Sequence, residues 1–172
     1  MKIVGVTGNL TRPSKTRSLC EYLVDQLSEG GSSGHCFDLI DALPGLGGTV
    51  WRSEAPGEVK ALLAAIEQAD ILVVGSPVYK ASYTGMLKHL FDLVDAKALA
   101  SKPVIAFATG KAPAHGEHVE AHMRSLFGFF EARMPARFIY ALDQDFEAGS
   151  PGSSLKAVVH QVVQQVRTDL VA

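Results

Sequence analysis

Between Asp70 and Gly75 the chain carries four consecutive apolar residues, Ile71-Leu72-Val73-Val74. A run this short and this apolar is a strand buried on both faces. Burying both faces of a strand requires helices on either side of its sheet, which directs the chain to a layered α/β fold. Next come Gly75-Ser76-Pro77-Val78-Tyr79-Lys80-Ala81-Ser82-Tyr83-Thr84-Gly85, then Met86, Leu87, Leu90, Leu93 and Val94 at helical spacing. The segment therefore joins a central strand to a helix, the place where open α/β sheets bind ligands. Gly75, Pro77 and Gly85 shape its backbone, and Tyr79 and Tyr83 offer aromatic surface suited to a flat ligand.

The same alternation recurs along the chain. Residues 2–7 form a strand, 8–17 a polar, cationic loop, and 18–27 a helix with Leu19, Leu23 and Leu27 on one stripe. The glycine-rich residues 30–34 end that helix, and 35–40 give a second strand. Residues 41–57 are a long connection holding the only tryptophan, Trp51. A helix follows to about Gln68, with Val59, Leu62, Leu63 and Ile66 inward. Residues 104–108 are the fourth strand, 109–116 a loop, and 117–133 a helix with bulky Leu126, Phe127, Phe129 and Phe130. Residues 137–142 are the fifth strand and 143–152 a polar loop. The last helix sets Leu155, Val158, Val159, Val162, Val163 and Val166 on one side. Five strands alternating with five helices predict a parallel sheet in the flavodoxin-like order 2-1-3-4-5, in a single domain over residues 1–172.

Composition narrows the partners. Of 172 residues, 47% are hydrophobic and 20% charged, as expected of a globular protein. A net charge of -2 gives no reason to expect nucleic acid or a membrane surface, and speaks against a strongly acidic electron carrier. Cys20 and Cys36 lack metal or CxxC spacing and are expected as small buried side chains in a reducing compartment. The histidines form no metal motif, and Asp92 and Asp95 read as a solvated helix face, so no metal is expected. No secretory leader or membrane-length apolar run is visible, which makes the cytoplasm the expected location.

In the predicted strand order the loops after strands one, three and four meet at one edge. The first resembles a phosphate cradle. Ser14, Thr16 and Ser18 offer hydroxyls, Arg12, Lys15 and Arg17 offer charge, and the helix start offers unpaired N–H groups. Neither GxxxxGK[ST] nor GxGxxG is present, and an ordinary helix cap amid solvated charges accounts for these residues equally well. The second loop would lie along a flat ring and read the polar edge of a flavin through its backbone. In the third, Thr109 and Gly110 allow close approach, while Lys111 can meet negative charge on a reduced ring.

Three segments carry a family resemblance: Gly8-Asn9 with Pro13-Ser14-Lys15-Thr16-Arg17-Ser18-Leu19, Pro77-Val78-Tyr79-Lys80-Ala81-Ser82-Tyr83-Thr84-Gly85 with Leu87-Lys88, and Ala108-Thr109-Gly110. They resemble the NAD(P)H-dependent FMN reductases, especially the reductase components of two-component alkanesulfonate or methanesulfonate monooxygenases. The likeness runs to about Tyr140. It implies a flavodoxin-like three-layer sandwich, FMN as cofactor, and NADH or NADPH as reductant. It also implies a homodimer or homotetramer, and transfer of reduced flavin to a partner monooxygenase in organosulfur use. By the same resemblance Ser14, Lys15 and Thr16 meet the phosphate, with Asn9 and Arg12 beside them. Pro77, Val78 and Tyr79, with Lys80, flank the isoalloxazine and ribityl chain, and Thr109 and Gly110, with Lys111, meet the ring's polar edge. Asn9 stands where the family usually has Ser, and Lys111 where a second Gly is common.

Hydride transfer from nicotinamide C4 to flavin N5 needs no acid or base, so no catalytic residue is assigned. Lys111, His115 and His122 are candidates for support near the ring. His122 also resembles a histidine that methanesulfonate-type members carry where alkanesulfonate reductases insert a tyrosine in a π-helical turn, with His118 as its rival. Arg52, Lys80 and Arg124 are candidates for the extra phosphate of NADPH. Two other readings use the same loops: a quinone or azo reductase with tightly bound FMN, and a non-enzymatic electron carrier.

Overall fold

The computed structural model describes residues 1–28 and 31–171. Its five-stranded sheet comprises β1 (Lys2–Thr7), β2 (Ser33–Asp38), β3 (Ile71–Pro77), β4 (Val104–Gly110) and β5 (Ile139–Leu142). The strands are parallel in the order β2-β1-β3-β4-β5, the flavodoxin-like arrangement. The helices are α1 (Lys15–Ser28), α2 (Leu43–Gly48), α3 (Gly57–Glu67), α4 (Gly85–Asp92), α5 (Gly116–Phe129) and α6 (Ser153–Val171). A two-stranded hairpin, β6 (Phe146–Glu147) with β7 (Ser150–Pro151), precedes α6.

The period-two alternation of strand side chains divides the core. Ile3, Ile71, Val73, Ile105 and Phe107 pack against Leu19 and Leu23 of α1 and Val159 and Val163 of α6. Val4, Val6, Leu72, Val74 and Ala106 face the other way, onto α3, α4 and α5 through Leu63, Ile66, Leu90, Phe91 and Phe127. Phe91 and Phe127 meet edge to face at 5.3 Å. Each such large apolar side chain contributes about 1.5–3 kcal/mol by leaving water.

Element boundaries depart from the sequence expectation where a side chain intervenes. The first helix starts at Lys15 rather than residue 18, because Ser14 Oγ accepts the Arg17 N–H at 3.2 Å and caps it. Of the glycine run expected to end it, Gly30 lies outside the described residues. The second strand spans 33–38 instead of 35–40. Asp38 Oδ1 accepts the Ile40 N–H at 3.2 Å and turns the chain into a 3₁₀ turn. The long connection folds into α2 and a further 3₁₀ turn, and leaves Trp51 exposed. Strand β3 continues three residues beyond expectation, through Pro77, and β4 two, through Gly110. The fifth strand begins at Ile139 rather than 137, and α5 stops at Phe129, short of residue 133. Two residues past it, Glu131 adopts φ 54°, and Arg133 then bonds back to the start of β4. Among the described residues no helix is long and apolar enough to cross a membrane.

Candidate functional site

All five strands of the main sheet point their carboxyl ends the same way, and the loops leaving β1, β3 and β4 come together there. Backbone bonds knit them. Gly8 N–H donates to Gly75 C=O at 2.8 Å, and Val78 N–H to Thr109 C=O at 2.9 Å. Thr84 Oγ1 donates to Gly8 C=O at 2.9 Å, while Ser76 Oγ accepts the Thr84 N–H at 3.0 Å. Thr16 and Thr109, ninety-three positions apart, place their hydroxyl oxygens 2.6 Å from each other and are 2% and 8% exposed. The first and third loops are thereby clasped by a buried hydrogen bond.

Two concavities lie on this edge, and Lys15 lines both. One, of about 480 Å³, is walled by Arg12, Pro13, Ser14, Arg17 and Ser18 on one side and by Gly149 and Ser150 of the β6–β7 hairpin on the other. It sits over the start of α1, whose first N–H groups have no partner within the helix and face outward with the positive end of its dipole. The other, of about 320 Å³, is walled by Pro77, Val78, Tyr79, Thr109, Gly110, Lys111 and His115. Both volumes are in the range of small-molecule sites. A Cβ on Gly110 would overlap the Tyr140 hydroxyl, which donates to Ala112 C=O at 2.8 Å, so only glycine lets the third loop lie back against Tyr140.

The cations are partly engaged within the protein. The buried Asp38 carboxylate accepts Arg12 Nε at 2.7 Å and Nη2 at 2.5 Å, and Arg17 Nη1 at 2.8 Å. Arg12 also reaches Asp41 at 2.7 Å. Burial alone would push the Asp38 carboxyl up; the hydrogen bonds from Arg12 and Arg17 outweigh it and hold the group below the usual carboxylate range. The same bonds raise both guanidinium pKa values. Lys15 Nζ sits 3.0 Å from Asp143 Oδ1 and 5.6 Å from the centre of the Phe146 ring.

Of the residues named from sequence, Arg12, Ser14, Lys15, Pro77, Val78, Tyr79, Thr109, Gly110, Lys111 and His115 line the two concavities. Four others are placed differently. The Asn9 amide is buried and turned inward, donating to Thr11 C=O at 3.2 Å and Asp38 Oδ2 at 3.4 Å, while its oxygen accepts from Thr7. Thr16 contributes a clasp rather than an open hydroxyl. Lys80 is exposed at the tip of a tight turn, where Tyr79 and Ser82 exchange backbone bonds and Lys80 and Ala81 take φ of 52° and 62°. His122 lies apart from the ring concavity. It follows the start of α5 by six residues, about 9 Å along the axis, and its Nδ1 is 2.9 Å from Ser82 Oγ in a separate groove between α4 and α5. His118 is exposed on the same helix, which is α-helical throughout its length. Of the candidates for the nucleotide's extra phosphate, Arg52 is paired with Glu67 and Arg124 with Glu120.

Sequence reasoning missed Asp38, Asp143 and Tyr140. Asp38 had a weak signal, since a carboxylate within a predicted strand of a parallel sheet needs a cationic partner when buried, and the first loop is rich in arginine. Asp143 and Tyr140 had none, because their relevance comes only from the β4–β5 pairing.

The donor set suits FMN. A helix start with Ser14 and Lys15 matches a phosphate, and the second concavity, which shares Lys15 as a wall, combines apolar walls with backbone polar groups, as a flat heteroaromatic ring requires. Comparison with known proteins points the same way. Residues 1–147 match the family model described as NADPH-dependent FMN reductase. An FMN reductase (NADPH) of Pseudomonas aeruginosa is 42% identical over 147 residues, 85% of this chain and 79% of that protein. The NADH-dependent FMN reductase SfnF of Pseudomonas fluorescens shows the same identity and coverage. Among solved structures, the apo form of the NADH:FMN oxidoreductase EMOB superposes with a TM-score of 0.85 at 27% identity, covering 98% of this chain and 89% of that one. With this fold, this clasped three-loop edge and these relatives, the chain belongs to the NADPH-dependent FMN reductase family and is an NAD(P)H:FMN oxidoreductase.

Proposed function

We propose that this reductase treats FMN as a diffusible substrate and delivers it, reduced, to a flavin-dependent monooxygenase acting on organosulfur compounds. The observation that carries the proposal is the exposure of the ring concavity's outer wall. Tyr79 is 49% exposed, and Lys111 is also exposed, so flavin has a route in and out. The likeness of the Pro77–Gly85 segment to the reductase components of sulfonate monooxygenases supports the choice of partner. The setting is cytoplasmic, where nicotinamide nucleotides are available.

In this reading Ser14 and the first N–H groups of α1 hold the phosphate, with Lys15 adding charge and Arg12 kept at the rim by Asp38. The backbone of Pro77-Val78-Tyr79 and of Thr109-Gly110 orients the ring. The Thr16–Thr109 clasp fixes the distance between the phosphate and ring ends, and Lys111 meets the charge that reduction adds. Bound FMN supplies N5 as hydride acceptor for nicotinamide C4, and the protein's part is orientation and electrostatics. Lys80, beside Tyr79, is the cation placed to favour the extra phosphate of NADPH. The chain also pairs with a second copy through the α4–α5 groove, where Phe129 is 69% exposed.

Steady-state rates with FMN, FAD, riboflavin and a quinone, each with NADH and NADPH, test the reading. Saturable FMN-dependent oxidation by protein purified colourless is expected, as is product formation when a sulfonate monooxygenase is added. Stoichiometric yellow flavin on purification, with a quinone preferred over added FMN, would instead make FMN a resident cofactor.

A further inference from the structure

Away from the loops, Cys36 points its thiol at Cys20, with Sγ–Sγ 3.7 Å. Cys20 is on the inward face of α1 and fully buried, whereas Cys36 is part-exposed on the edge strand β2. Gly5 of β1 is the register partner of Cys36. A Cβ on Gly5 would stand 2.6 Å from Cys20 Sγ and 2.7 Å from Cys36 Sγ, so the missing side chain is the space in which the sulfurs meet. Burial, then the hydrogen bond from Cys36, pushes the Cys20 thiol well above its usual range and keeps it protonated. Each cysteine also sits on an element that builds the phosphate wall. Thr16 is one turn before Cys20 on the buried face of α1, and Asp38, two residues after Cys36, anchors Arg12 and Arg17.

We propose that Cys20 and Cys36 are an oxidative modification site: hydrogen peroxide closes them into a disulfide, which shifts α1 against β2 and weakens FMN binding at the phosphate wall. The effect on FMN rests on the functional reading above; the bond does not. Cys36 reacts first as its thiolate. Its sulfur forms an S–O bond as the O–O bond breaks, and the departing hydroxide takes up a proton to become water, leaving a sulfenic acid. The Cys20 sulfur then attacks the Cys36 sulfur, the S–S bond forms and the S–O bond breaks, and the Cys20 proton leaves with the hydroxide as a second water. Two thiols are oxidised to one disulfide while one peroxide is reduced to two waters. Reduced flavin released into air gives peroxide when dioxygen reoxidises it, so the enzyme's own product generates the oxidant. Closure draws the sulfurs from 3.7 Å to about 2.05 Å. Loss of one charge-assisted contact to the phosphate as α1 and β2 shift is enough to change affinity about tenfold.

The test uses the whole protein before and after hydrogen peroxide, then after dithiothreitol. Expected are an intact mass lower by two hydrogens, no thiol labelled by maleimide after denaturation, and an FMN dissociation constant raised about tenfold. Riboflavin binding should be unchanged, and dithiothreitol should reverse every change. Cys36→Ser, or Cys36→Ala if the first folds poorly, should bind FMN like the reduced protein and ignore peroxide. Two labelled thiols after treatment, or oxygen added to Cys36 without a bond, would overturn the site. A disulfide with unaltered FMN affinity would overturn the coupling. Failure of the reduced protein to bind FMN would sink the functional reading instead, with the disulfide still judged by mass.

Discussion

Asp38 shows how one buried carboxylate organises a cationic loop. It accepts three hydrogen bonds from Arg12 and Arg17, and its side chain is wholly out of solvent. Asp38→Asn keeps the shape but weakens all three bonds, and should destabilise the fold by about 1–3 kcal/mol in urea titrations at neutral pH. The pH dependence has a definite sign. The folded carboxyl lies below its usual value, so on acidification the unfolded chain binds the proton first. Its stabilisation is complete above about pH 5 and is lost as pH falls through the folded pKa. The gap between wild type and Asp38→Asn should therefore narrow with acid; a constant gap would show that the charge is not what Asp38 contributes. Lys80 makes a second prediction at this scale. With Arg52 and Arg124 both paired to carboxylates, Lys80→Ala should raise KM for NADPH about tenfold and leave NADH within twofold, the loss expected of one charge-assisted contact.

At the scale of elements, the turn after β3 carries a cost. Lys80 and Ala81 both occupy the left-handed region, which costs a residue with a Cβ about 1 kcal/mol or more. Ala81→Gly should therefore stabilise the protein by up to about 1 kcal/mol, measured as a higher urea midpoint at unchanged m-value. A lower midpoint would mean that the Ala81 methyl contributes packing that outweighs the strain. The apolar periodicities made the elements themselves legible: Val59, Leu62, Leu63 and Ile66 are all buried on α3, as are Leu155, Val159, Val162, Val163 and Val166 on α6. Boundaries were less legible because polar side chains set them. Ser14 extends α1 backward and Asp38 ends β2 early, and neither effect has a periodic signature.

For the whole molecule, the groove between α4 and α5 is an apolar feature left open away from the loop edge. It encloses about 500 Å³ against Tyr83, Phe91, Leu126, Phe129 and Phe130, with Lys88, Asp92 and His122 at its margin. The sequence suggested that α5 carries more aromatic bulk than the sheet needs. The structure narrows that excess to Phe129, since Phe127 and Phe130 are buried within the chain. Phe129→Asp should shift the protein from dimer to monomer in light scattering without altering its circular dichroism. A wild-type monomer, or a dimer that survives the substitution, would refute this interface.

The sequence alone determined the layered fold and the loops at the binding edge, because these follow from local periodicity, and the strand order followed from the arrangement that five alternating strands favour. It also named most of the residues that line the two concavities, since Gly, Ser and Lys after a strand carry a local meaning. The tertiary structure decided which side chains remain open to a ligand. Asn9 turned inward, Thr16 clasped Thr109, Arg12 went to Asp38, and His122 moved to another groove. Each of these depends on a partner from another part of the chain, or on how far a helix carries a residue from the sheet edge. Only packing brings such groups together.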